Sequence, residues 1–214
     1  MTDDKPAAER VPLFADEPKL RKRRLWSGVF GVLIVAAGFG GIVGLIGGQL
    51  PGLIVAAVVG LPLVYVVLYA YRRRIWLEGT TLVVRTWGTR RMDLLEAPRM
   101  DVVISDVRGS RTVSLLVTVP RRRRAVKLDL AVFSGTGGRE LGALQLRRLA
   151  DAVLNNTDAN GLVFSELLVA ELRAEARGDA VPERPLYRLA SAAPAGKYLQ
   201  RFPMEAVSRF VATL

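Results

Sequence analysis

The chain has 214 residues, 50% of them hydrophobic, and its 31 Lys and Arg residues outnumber 20 Asp and Glu residues to give a formal net charge of +11. It contains no cysteine and no histidine. These absences exclude disulfides and thiolate chemistry, and they remove the usual general base near neutral pH and the commonest nitrogen ligand of zinc. We therefore expect a non-enzymatic protein with no metal or cofactor.

Residues 1–18 combine three prolines with many charges and show no apolar period, which is typical of a disordered tail. Residues 19–74 then predict a transmembrane hairpin. Its two spans, 25–48 and 52–71, contain no charged residue, and each reaches the roughly 20 helical residues that a hydrocarbon core of about 30 Å requires. No Asp, Glu, Lys or Arg lies inside either span, which disfavours a transporter or proton channel.

The charges that flank this hairpin predict its orientation. Basic residues crowd positions 19–24 before the first span and positions 72–74 after the second, whereas the turn between the spans is uncharged. Because cytoplasmic flanks are enriched in Lys and Arg, we expect a multi-pass protein of the inner (cytoplasmic) membrane with both termini in the cytoplasm. The same placement favours the anionic lipids of the inner leaflet, and not nucleic acid, as partners of the basic surface.

Small residues recur at every fourth position of both spans, a spacing that lets two helix backbones approach closely. Such a groove packs either the two spans against each other or the hairpin against another subunit. The helix-packing residues predicted on this basis are Ala36, Gly40, Gly44, Gly48, Gly52, Ala56 and Gly60.

Residues 75–156 show the short alternating runs of an antiparallel β domain. We predict five strands, at 81–87, 90–95, 100–106, 112–119 and 125–133, followed by a helix over 140–156. The buried face of that helix is predicted to contain Leu141, Leu144, Leu149 and Val153. The fold class is thus an α+β membrane protein in which a partly open barrel is capped by a C-terminal helix.

The order of two spans, the segment WLEGTTLVVRTWGTRRMDLLEA, further strands and a closing helix resembles the bacterial pleckstrin-homology-like (PH-like) membrane proteins common in actinobacteria. The resemblance covers roughly residues 73–156 and the hairpin. It rests on pattern and order, and it implies a PH-like fold close to the membrane without supplying catalytic residues. The predicted strand number is below the seven of that fold.

The remainder of the chain divides at Gly178. Residues 157–177 contain a predicted second helix over 162–177, with Phe164, Leu168 and Leu172 on one face. Its charged residues lie mostly elsewhere on the helix: Glu166, Glu171, Arg173 and Glu175. Residues 178–214 are rich in proline and alanine, which indicates an extended linker or a C-terminal tail. Residues 204–214 have the pattern of a short amphipathic helix.

The predicted lipid- or anion-binding residues are Arg121, Arg122, Arg123 and Arg124, in a loop between two strands. The alternative is a solvated charge run that faces anionic lipid without a defined pocket.

The glycines of residues 134–138 lack the lysine of a phosphate-binding loop and predict a strand-to-helix turn. The aspartates at 93, 101, 106 and 129 do not have the spacing of a calcium loop, and Ser105 and Ser114 have no histidine partner.

These observations lead us to expect a membrane-anchored scaffold or accessory subunit that binds a membrane or cytoplasmic protein partner in an envelope complex. The alternative function is recognition of an anionic lipid head group by the basic loop.

Overall fold

The computed structural model describes residues 10–13, 18–118, 125–194 and 198–214. It is an α+β protein in which two long apolar helices are followed by antiparallel sheets and further helices. The described elements are β1 (Arg10–Pro12), α1 (Pro18–Gly47), α2 (Gln49–Arg72), β2 (Arg74–Glu78), β3 (Thr81–Arg85), β4 (Thr89–Asp93), β5 (Arg99–Val107), β6 (Ser110–Thr118), β7 (Ala125–Ser134), β8 (Gly137–Glu140), α3 (Ala143–Val153), α4 (Gly161–Arg177), a 3₁₀ helix (Val181–Glu183), α5 (Pro185–Ala192), β9 (Gln200–Phe202) and α6 (Met204–Val211).

These elements form two compact units. The hairpin unit contains the described residues within 14–75 and 84–90, and the α+β unit contains those within 1–13, 76–83 and 91–214. In the hairpin unit, α1 and α2 are long and apolar enough to cross a membrane. They are separated by Gly48 alone, whose φ of 93° is a conformation that favours glycine.

A four-stranded sheet has the order β1-β2-β3-β4. Its edge strand β1 pairs antiparallel with β2, so that Val11 lies opposite Leu77. Val11 and Leu13 are both buried. The prediction of a disordered tail over residues 1–18 is therefore wrong for residues 10–13, because Val11 and Leu13 are buried beside a strand more than sixty positions away. It is also wrong for Pro18, where α1 begins. Residues 1–9 and 14–17 lie outside the described part of the chain.

A five-stranded sheet has the order β8-β7-β6-β5-β9. Strands β5 and β6 form a hairpin whose turn places Arg108 and Gly109 at φ of 52° and 78°, which confirms the predicted turn. The sequence predicted five strands, and the described residues contain nine. The four that were missed are β1, β2, β8 and β9.

The segment Ser134–Gly138 is a strand-to-strand connection and not the predicted strand-to-helix turn. Gly135 has φ of 59°, and Ser134 pairs with Gly137 across the β7-β8 hairpin. A Cβ at Gly138 would collide with the ring of Phe133. The chain therefore needs glycine here to make a tight hairpin over an aromatic side chain, and α3 begins only at Ala143.

The helices that follow the sheets also differ from expectation. In α3, Leu146, Leu149 and Val153 are buried. The prediction that Leu144 lies on the buried face is wrong, because this side chain is 54% exposed. Helix α4 confirms the predicted second helix. The predicted linker or tail over residues 178–203 is wrong for its described residues, because α5 buries Leu186 and Leu189 and β9 pairs with β5. The short helix predicted over residues 204–214 is confirmed by α6.

Candidate functional site

The seam between α1 and α2 contains most of the small residues that the sequence singled out. A Cβ at Gly52 would lie 2.6 Å from the Gly40 carbonyl oxygen and 2.7 Å from the Gly44 Cα, and a Cβ at Gly40 would lie 2.7 Å from the Ala56 Cβ. Side chains larger than hydrogen at Gly40 and Gly52 would therefore separate the helices. The structure brings these residues together within one hairpin.

Two other predicted helix-packing residues, Ala36 and Gly48, differ in their contacts. Ala36 lies opposite Gly60, where an added Cβ would be 3.2 Å from the Ala36 Cβ. Gly48 is outside the seam: it forms the break between the helices, and a Cβ there would meet no atom within 4 Å. Its glycine is required by the positive φ and not by close packing.

The outer surface of this hairpin is apolar and largely uncovered. Leu45 and Ile46 are 91% and 86% exposed near the break between the helices. The other exposed large apolar side chains of the two helices include Trp26, Phe30, Leu33, Ile34, Phe39, Ile42, Leu50, Leu53, Ile54, Val58, Leu61, Tyr65 and Val66. An apolar surface of this extent is unusual in a soluble monomer and is typical of a surface that lipid or protein covers.

A buried acidic cluster in the α+β unit was not predicted from the sequence. Glu171 of α4 has no exposed surface, and its Oε2 accepts a 2.7 Å hydrogen bond from the backbone N–H of Leu186. Glu140, at the end of β8, accepts a 2.6 Å bond from Arg184 Nη1. The two carboxylates thus fix the beginning of α5, which has no side-chain cap of its own.

The protonation of this cluster is shifted by its surroundings. The pKa of the Glu171 carboxyl is raised to about 7. Burial is the main cause and the neighbouring charge of Glu140 acts in the same direction, whereas the hydrogen bond from Leu186 opposes the shift. The Oε1 atoms of Glu140 and Glu171 are both buried without a hydrogen-bond donor. A proton on Glu171 would let one carboxyl donate to the other and give both oxygens a partner.

The aspartates and serines that the sequence analysis weighed are not assembled into a site. Asp101 pairs with Arg99 at 2.9 Å, and Asp106 pairs with Arg111 at 3.5 Å. Asp129 accepts a 2.8 Å bond from Ser114, while Ser105 accepts a 3.4 Å bond from Lys127. Asp93 accepts a bond from the Leu95 N–H. Among the described residues, no three acidic side chains gather in a way that could hold a metal ion.

The basic loop predicted to bind anions, Arg121 to Arg124, lies outside the described residues. Its two ends are described: Thr118 of β6 is paired with Ala125 of β7.

Comparisons with family models, curated proteins and solved structures give no match to this chain.

Proposed function

We propose that this chain is a non-enzymatic, integral protein of the cytoplasmic membrane that serves as a scaffold or accessory subunit of an envelope membrane complex. The supporting observation is the hairpin: its seam is closed by glycine contacts, while its outer surface is apolar and uncovered. Because lipid tails cover such a surface without cost, a bilayer is its natural environment. The α+β unit then provides the contacts with a protein partner.

Pairing between β1 and β2 supports cytoplasmic placement of both ends of the hairpin. Arg10 lies opposite Glu78, and their side chains form a 2.8 Å ion pair. The chain therefore leaves for α1 and returns from α2 at adjacent strands of one sheet. Two paired strands in water lie on one side of a membrane, and the basic flanks of the hairpin favour the cytoplasm as that side.

The topology can be tested because the native chain has no cysteine. Gln49→Cys places a single thiol beside the break between the helices, and Glu166→Cys places one on an exposed position of α4. We expect a membrane-impermeant maleimide to label Gln49→Cys in intact cells and Glu166→Cys only in inverted vesicles. The reverse pattern, or recovery of the protein without detergent, would contradict the proposed anchor.

The PH-like assignment is part of the same proposal. Seven strands, β2 to β8, lie between Arg74 and Glu140, and the amphipathic helix α3 follows them. This number agrees with the seven strands of the fold that the sequence resembles, and a PH-like domain would offer strand edges to a partner. Purification in mild detergent should then recover a membrane partner in stoichiometric amount. Recovery of the chain alone would contradict the scaffold.

Recognition of an anionic lipid head group remains the second candidate. Four consecutive arginines connect β6 to β7, and guanidinium groups form bidentate hydrogen bonds with phosphate. Replacing Arg121 to Arg124 with glutamine should then abolish the preference of the reconstituted protein for one anionic lipid over another. A preference that survives the replacement would exclude the loop as a recognition site.

A further inference from the structure

The connection between β3 and β4 belongs to the hairpin unit and contains an exposed aromatic residue, Trp87. Residues 84–90 group with the two long helices. Within them, a hydrogen bond of 3.0 Å from the Thr86 N–H to the Gly88 carbonyl closes a tight turn around Trp87. The side chain of Trp87 is 54% exposed.

Trp87 packs against the C-terminal part of α2. Its ring is stacked on Tyr65 with centroids 5.8 Å apart and planes within 6°. The guanidinium carbon of Arg72 lies 4.5 Å from the centroid of the Trp87 ring, which is a cation–π contact. Because Tyr65 precedes Arg72 by about two helical turns, the indole lies beside the last turns of the apolar helix and not beyond its end.

The face of α2 that carries this stack is open to its surroundings. Tyr65 is 56% exposed despite the stack, and Leu61, one turn earlier on the same face, is 69% exposed. If α2 spans a bilayer, this face is covered by lipid, and the same lipid meets the free part of the Trp87 ring. Indole rings favour the interface between head groups and acyl chains, where an apolar body and a polar N–H are both accommodated.

Positive charges border the turn on both sides. Arg85 and Arg90 are exposed within the same unit, and Arg72 contacts the ring itself. Guanidinium groups beside an interfacial aromatic residue are complementary to the phosphates of an anionic leaflet. The positive charges and the Trp87 ring together favour phospholipid as the partner of this surface.

We propose that the turn Thr86–Trp87–Gly88 inserts into the cytoplasmic leaflet beside α2, with Trp87 in the interfacial region and Arg85 and Arg90 at the lipid phosphates. This inference rests on the proposed membrane anchor, and it adds a third segment of the chain that contacts lipid. The turn is distinct from the basic loop between β6 and β7.

The test uses full-length chains with one tryptophan each. Trp26→Phe with Trp76→Phe leaves Trp87, whereas Trp76→Phe with Trp87→Phe leaves Trp26 as a reporter of α1. Each chain is reconstituted into vesicles of phosphatidylcholine and phosphatidylglycerol whose acyl chains are brominated near the glycerol. We expect the bromines to quench Trp87 to an extent comparable with Trp26, and aqueous acrylamide to quench Trp87 weakly.

The two single-tryptophan chains distinguish failure of the inserted turn from failure of the membrane anchor. Quenching of Trp26 by brominated lipid, with Trp87 quenched only by acrylamide, would overturn the inserted turn and leave the anchor in place. If brominated lipid quenches neither residue, both the anchor and the inserted turn are overturned. Quenching of Trp87 that is lost when brominated lipid is replaced with ordinary lipid supports the proposal.

Discussion

The two units of this protein place apolar and small side chains in opposite ways. In the α+β unit, large apolar residues such as Phe164, Leu115 and Leu149 are fully buried. In the hairpin unit, the helices meet at glycine and alanine, and large apolar residues such as Leu45 are on the outside. The first arrangement is stabilised by removing apolar surface from water. In the proposed membrane anchor, the second is stabilised by close packing of the two helix backbones.

Truncating a large apolar side chain should therefore have very different effects in the two units. We expect Phe164→Ala to lower the free energy of unfolding by about 4 kcal/mol, because it leaves a cavity at a fully buried position. Leu45→Ala, at a 91% exposed position of the hairpin, should change it by less than about 0.5 kcal/mol. Denaturant unfolding of the full chain in detergent measures both, and equal losses would remove the distinction between the units.

A buried polar side chain should matter in the α+β unit. Asn156 Nδ2 donates to the carbonyls of Leu94 and Ala97 at 2.6 and 2.9 Å, and its Oδ1 accepts from the Ala159 N–H. Asn156→Ala would leave these buried groups unpaired and should cost about 3 kcal/mol. The exposed neighbour Asn155 provides the control, and the idea fails if Asn155→Ala is equally destabilising in the same unfolding measurement.

Enlarging a small residue where α1 contacts α2 should destabilise the hairpin, whereas truncating one of its large exposed residues should not. We expect Gly52→Leu to destabilise the hairpin by about 2–3 kcal/mol, because its Cβ would meet the backbone of Gly40 and Gly44. Gly41→Leu is the matched control, since a Cβ at Gly41 meets no atom within 4 Å. Unfolding in mixed micelles with increasing SDS compares the two. A similar midpoint for both variants would mean that the seam does not hold the helices together.

The smallest expected effect concerns pH. The pKa of Glu171 is raised from 4.5 to about 7 in the folded protein, so the folded state holds its proton more tightly than the unfolded state. The contribution of this group to stability is present below about pH 4.5 and is lost as pH rises to about 7. We therefore expect the free energy of unfolding of the native chain to fall as pH rises across this range.

Glu171→Gln should abolish this loss, because the amide stays neutral and can still accept from Leu186. Thermal unfolding between pH 4.5 and pH 8 provides the comparison with the native chain. Glu166→Gln is the control, as Glu166 is exposed on the same helix. A pH profile of Glu171→Gln that matches the native profile would exclude Glu171 as the titrating group.

Helices and strands that have a regular apolar pattern of their own could be predicted from the local sequence. Uninterrupted apolar runs predicted α1 and α2, and apolar alternation predicted β3 to β7. Strand β8 (Gly137–Glu140) was missed because it has no apolar alternation, and β9 was missed because three residues carry too little pattern. Both are strands because a neighbouring strand supplies hydrogen-bond partners, which is information from elsewhere in the chain.

The acidic cluster was missed for a related reason. Glu171 falls outside the apolar stripe of α4 and therefore looks like a solvent-facing residue. It is buried because α5 packs against α4, and the segment that contains α5 was predicted to be a linker or tail. Leu144 shows the opposite error, since its position on a helical stripe does not reveal that α3 faces its neighbours from Leu146 onward.

The pairing of β1 with β2 has a consequence for biosynthesis. Strand β1 leaves the ribosome before either long helix, yet its partner β2 is made only after both helices are complete. The edge of the four-stranded sheet therefore stays open while the hairpin is synthesised, and it closes only after the chain has passed through both helices. The β1–β2 pair can therefore form only in a chain in which both long helices have already been synthesised.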